Sequence, residues 1–181
     1  MALLCDGSSL TPEKISENLK KNKWILDIIH NEFCIEPLSN LILQEKDWSL
    51  IYEPGQRKLL VVFKDLALST IRDLRSQHIG MLEDVMRKVR KKIVADWQEL
   101  GLTSEPMNID FYFHYWPSVY QLHAHVKLTS ARPADRCHMF QHVIRNLKAK
   151  SMWYRDAVIL YSPSRSAKAT TRSSIKGNRN I

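Results

Sequence analysis

The stretch Asp110–Lys127, reading Asp-Phe-Tyr-Phe-His-Tyr-Trp-Pro-Ser-Val-Tyr-Gln-Leu-His-Ala-His-Val-Lys, restricts the fold more than any other part of this chain. It is dense in aromatic and β-branched residues and broken by Pro117-Ser118, so it reads as a strand, a turn and a second strand. Side chains alternate faces along a strand. Ile109, Phe111, Phe113 and Tyr115 form the apolar list of the first strand, with His114 in the opposite set. In the second, Tyr120, Leu122, Ala124, Val126 and Leu128 point one way, and Gln121, His123, His125 and Lys127 the other. Two imidazoles one residue apart therefore sit side by side on a face stiffened by packing behind it.

Around this ribbon the chain alternates helical and extended patterns. Thr11-Pro12-Glu13 is a helix start with a capping threonine, proline in the first turn and an early acid. The helix is expected to run to about Asn31, with Ile15, Leu19, Trp24, Ile25, Ile28 and Ile29 in its apolar set. A short strand is expected at Leu41–Leu43, and strands at Trp48–Glu53 and Lys58–Phe63 are joined by a Pro54-Gly55 turn. From Ser76 or Gln77 to about Leu100 the apolar spacing is helical, with Gly101 as the stop. Arg87, Lys88, Arg90, Lys91 and Lys92 lie on its other side and read first as a solvated face, second as a nucleic-acid surface. A helix at about Asp135–Ala149 and a strand at Ala157–Tyr161 complete an α+β fold, an antiparallel sheet with packed helices.

Residues 1–10 are expected to be disordered, 11–162 to form one domain, and 163–181 to be a basic disordered tail. The tail holds Arg165, Lys168, Arg172, Lys176 and Arg179 and no acid, five units of the net charge of +8. Such a balance attracts RNA without reading its sequence. No apolar run approaches the roughly 18 residues that span a bilayer, so no membrane partner is expected. Cys5, Cys34 and Cys137 are odd in number and contain no CxxC pair, the pattern of reduced thiols in a cytoplasmic or nuclear protein.

Three chemistries suit His123 and His125. They could bind zinc, which needs a third ligand such as His114 and a supporting shell. They could exchange protons. Or one could attack phosphorus, provided its ring is neutral and its second nitrogen donates to a fixed acceptor.

The run Tyr120-Gln121-Leu122-His123-Ala124-His125-Val126 resembles the histidine triad motif, and the longer string from His114 through Pro117-Ser118 to His125 resembles the scavenger mRNA-decapping branch of that superfamily. Ile71-Arg72-Asp73-Leu74, Asp135-Arg136-Cys137-His138 and Trp24 followed by Ile25-Leu26-Asp27-Ile28 are similar to family segments, extending the resemblance over roughly residues 20–162.

The resemblance implies a histidine triad-like fold, a homodimer and hydrolysis of the 5′-5′ triphosphate in 7-methylguanosine cap remnants, with no cofactor or metal. It implies His123 as nucleophile and His114, Ser118, Gln121, His125 and Arg136 as phosphate-binding. Trp24 would stack on the cationic methylated base and Glu53 would hold the guanine edge. Three departures accompany it. Gln121 stands where the family has its first histidine, Gly55 stands where a lysine follows the guanine-binding acid, and only about 20 residues precede Trp24 where the family has an N-terminal domain. These departures imply a reduced rate, and they keep two alternatives open. One is a weakened paralogue that binds capped nucleotides or RNA. The other is a triad hydrolase of a different nucleotide.

Overall fold

The structure, a computed structural model, describes residues 3–5, 10–30, 41–53, 58–98, 108–128 and 137–161. Its centre is a six-stranded antiparallel sheet. The strands are β2 (Leu41–Gln44), β3 (Trp48–Glu53), β4 (Lys58–Phe63), β5 (Asp110–His114), β6 (His123–Lys127) and β7 (Cys137–Met139). Their order across the sheet is β2-β3-β4-β6-β5-β7. β6, which carries the paired histidines, is therefore an interior strand, held by β4 on one side and β5 on the other.

The expected alternation holds within β5 and β6, though not at Gln121, which precedes β6. Phe111, Phe113, Leu122, Ala124 and Val126 enter the larger core with Trp48, Leu50, Val61 and Phe63. Two helices close that side. α3 (Ile79–Ala95) contributes Leu82, Val85, Val89 and Ile93, and α4 (Phe140–Ala149) contributes Phe140, Val143, Ile144 and Leu147. On the opposite face Ile51, Leu60 and Val62 pack with Val119 under Ile25 and Ile29. Those isoleucines belong to α2 (Lys23–His30), which follows α1 (Pro12–Lys21).

Several expected boundaries move. The N-terminal helix is two helices, broken at Asn22. There the Asn18 carbonyl accepts from both the side-chain amide (2.8 Å) and the main-chain amide (3.1 Å) of Asn22, whose backbone leaves the helical conformation at φ −115° and ψ 48°. Trp24 leaves the apolar stripe and stands 41% exposed. α3 stops at Ala95, its Asp96 amide donating to the Lys92 carbonyl, short of the expected Leu100. Cys137–Met139, expected to open a helix, instead pairs with β5, and the helix begins at Phe140. Leu3–Cys5, expected to be unstructured, forms β1 and pairs with β8 (Ile159–Tyr161). In both cases the pairing partner lies far away in sequence, and local pattern carries no trace of it. The Pro54-Gly55 turn, Gly101 and residues 163–181 lie outside the described residues.

The segment before α3 holds a 3-10 turn, Ile71–Asp73. The Thr70 hydroxyl accepts from the Arg72 amide, and the Asp73 carboxylate accepts from the Ser69 and Thr70 amides. Arg72 then bridges outward. It donates to the buried Tyr115 hydroxyl (2.9 Å) and to the carbonyls of Tyr154, Arg155 and Ala157, tying the turn to α5 (Trp153–Asp156). Three of the five α3 cations pair with acids, Arg87 with Asp84, Lys88 with Glu45 and Asp84, and Lys92 with Asp96, while Arg90 donates to the Ile109 carbonyl (3.2 Å). Among the described residues no helix is long and apolar enough to cross a membrane.

Candidate active site

Strand pairing sets which residues share the histidine face. His125 lies opposite Leu60 on β4 and Tyr112 on β5, and His123 lies opposite Val62. His114 lies opposite Cys137 on β7. Directly paired residues point to the same side of a sheet. One face is thus divided in two: its β3–β4 half is apolar and covered by α2, and its β6–β5–β7 half carries the imidazoles.

The rings form a cluster. His114 and His125 have centroids 4.2 Å apart, and His123 lies 5.5 Å from His125, edge to face. Tyr112 stacks on His125 at 5.3 Å with an interplanar angle of 14°, and its ring is 5.3 Å from His114. Sequence reasoning missed Tyr112, although the alternation that selects His114 selects Tyr112 as well. Among the described residues no group of three or more His, Cys, Asp or Glu could hold a metal ion.

His123 Nδ1 lies 2.8 Å from the main-chain carbonyl of Gln121. A carbonyl only accepts, so this bond puts the proton on Nδ1 and the ring's lone pair on Nε2. A side chain two residues upstream is thereby unnecessary for fixing the tautomer.

The Gln121 side chain does not join the histidine face. The strand begins at His123, and the chain before it is a loop, so the period of two does not reach back to 121. Gln121 is 0% exposed, and its Nε2 donates to the carbonyls of Phe63 (2.8 Å) and Asp65 (2.9 Å). Its Oε1 is buried with no hydrogen-bond partner among the described residues. The expectation that Gln121 binds phosphate is corrected: it is a buried brace between the end of β4 and the loop entering β6.

The other expected residues are placed as follows. Ser118 is exposed in the loop between β5 and β6, its carbonyl accepting from Asn18 Nδ2 (3.0 Å). That loop begins with a cis Tyr115–Trp116 peptide, and the Trp116 indole donates to the Tyr120 hydroxyl (2.9 Å). Trp24 is exposed on α2, which lies over β4, the strand adjoining the histidines. Glu53 ends β3 opposite Lys58, and its side chain lies outside the described residues, as does all of Arg136. His138 points to the other side of β7 and packs edge to face on Tyr115 and Tyr154. Burial, with Arg72 and His142 adding, pushes its ring down to about 4, so it is neutral and structural at neutral pH.

Residues 28–149 match a family profile described as "Scavenger mRNA decapping enzyme C-term binding". Among curated proteins, the chain is 26% identical over 108 residues to the m7GpppX diphosphatase of Mus musculus, covering 58% of this chain and 30% of that protein. The proteins of the same name from Rattus norvegicus and Homo sapiens are 26% and 24% identical over the same length, each with 31% of its own length covered. The match thus spans about a third of the length of these relatives.

Proposed function

This chain belongs to the scavenger mRNA decapping enzyme C-terminal family, and from that premise we propose that it is a histidine triad hydrolase of 7-methylguanosine cap remnants. The observation that carries the reading is the bond from His123 to the Gln121 carbonyl on a face shared with His114 and His125. It presents an imidazole in the tautomer that attack requires.

In this reading His123 Nε2 attacks the phosphorus next to methylguanosine. An N–P bond forms while the P–O bond to the rest of the triphosphate breaks, and the leaving group departs as a nucleoside diphosphate or longer chain. Water then cleaves the N–P bond, releasing 7-methylguanosine monophosphate and the neutral ring. His114 and His125, with Ser118 and Arg136, stabilise the charge that gathers on the phosphoryl oxygens. The exposed Trp24 ring receives the methylated base, whose positive charge is drawn to an aromatic face. Glu53 takes the guanine edge. The active species is a homodimer.

Purified protein incubated with 7-methylguanosine cap dinucleotide should release the monophosphate. His123→Asn should lower that rate by about a thousandfold or more, since the nucleophile itself is removed. Equal rates for parent and variant would refute the assignment.

Gln121 favours a second reading. It cannot carry a proton, and it is committed to main-chain carbonyls instead of the phosphate face. A protein that binds the cap dinucleotide tightly and releases nothing would be a binding paralogue.

A further inference from the structure

The loop that leads from β5 into His123 is gripped by a residue far from it in sequence. Asn18, near the end of α1, donates from Nδ2 to the Ser118 carbonyl (3.0 Å) and accepts at Oδ1 from the Tyr120 amide (2.9 Å). One side-chain amide thus reads the loop as a neighbouring strand would, bonding to two main-chain groups on either side of Val119. Val119 fills the smaller core against Ile25, Ile29, Leu60 and Val62. Asn18 is itself held, because its carbonyl accepts from both the main-chain and side-chain nitrogens of Asn22.

We propose that Asn18 is a positioning residue that sets the loop before His123, and thereby the reacting ring, against the helix pair carrying Trp24. The connection downstream is short. Tyr120 is followed by Gln121, whose carbonyl holds His123 Nδ1 at 2.8 Å, and then by Leu122, whose amide donates to Leu68 (2.7 Å). A shift of the 118–120 main chain therefore reaches the carbonyl that selects the His123 tautomer. Upstream, Asn22 bonds to the Asn18 carbonyl and accepts from the Ile25 amide (3.0 Å), so the loop and the helix that carries Trp24 meet at Asn18 and Asn22. This inference rests on the hydrolase reading for its kinetic consequence and on geometry alone for its effect on the His123 ring.

The test uses Asn18→Ala and Asn18→Asp in the full chain. Asn18→Ala should fold cooperatively, keep KM for cap dinucleotide within about twofold and lose about tenfold in kcat, the pattern of misplacement rather than lost binding. In Asn18→Asp the carboxylate still accepts from Tyr120 but repels the Ser118 carbonyl, so half of the grip is lost and kcat should fall several-fold with KM kept within about twofold. Parent-like kcat in Asn18→Ala, or a loss carried wholly by KM, would overturn the proposal. If Asn18→Ala does not fold, the same two readouts in Asn18→Asp decide. If the parent itself releases no monophosphate, the hydrolase reading falls alone, and the Asn18 inference is decided by ring ¹⁵N NMR of His123. Loss of the Nδ1–H tautomer in Asn18→Ala supports it, and an unchanged ring spectrum overturns it.

Discussion

Gln121 separates pattern from chemistry at the scale of a single residue. Its spacing from His123 and His125 places it in the motif, yet its amide is spent on the Phe63 and Asp65 carbonyls. Restoring a histidine there should not restore a triad. Gln121→His should leave cap turnover at or below the parent rate and cost about 1–3 kcal/mol in urea unfolding, because two buried carbonyls lose their donor. A rate gain at unchanged stability would contradict the brace. His138 gives a second test. Its ring titrates near 4 when folded against 6.5 for the ordinary group. Between those values the unfolded chain binds the proton first, so stability rises with pH there. The contribution is full above pH 6.5 and falls away as the pH drops towards 4, by about 2–3 kcal/mol. His138→Gln should flatten that part of the unfolding-versus-pH curve.

Among the elements, the sheet strands were the most legible and the joins between elements the least. Trp48–Glu53, Lys58–Phe63 and the histidine ribbon declare themselves by alternation and by β-branched or aromatic content. The Asn22 break comes with one side chain folding back onto the Asn18 carbonyl, and β7 depends on a partner strand over twenty residues upstream. Periodicity cannot report either. The same holds for the site: His114, His123, His125 and, by the same alternation, Tyr112 are visible in sequence, while Asn18 and the Gln121 carbonyl matter through contacts that only folding creates. Arg72 makes a corresponding prediction for how elements join. Its fork serves the Tyr115 hydroxyl and three carbonyls around α5 at once. A lysine cannot reproduce that geometry, so Arg72→Lys should cost about 2–4 kcal/mol in urea unfolding, nearly as much as Arg72→Ala. Full rescue by lysine would mean that charge, not the fork, holds the corner.

Taken as a whole, the molecule carries its excess charge unevenly. Arg87, Lys88 and Lys92 on α3 are met by Asp84, Glu45 and Asp96, whereas five cations without an acid follow Ser162. Removing residues 163–181 should weaken binding to single-stranded RNA and reduce the slope of log affinity against log salt by about 3.5, the release expected from roughly five neutralised phosphates. An unchanged slope would place RNA contact elsewhere. The sheet has a further consequence. Ala124 is sealed in the larger core, while the residues before and after it look out from the other side. The two imidazoles have no mounting of their own and take their aim from hydrophobic filling on the far side of a layer one residue thick. Drift in that filling would register as lost marksmanship well before it registered as unfolding.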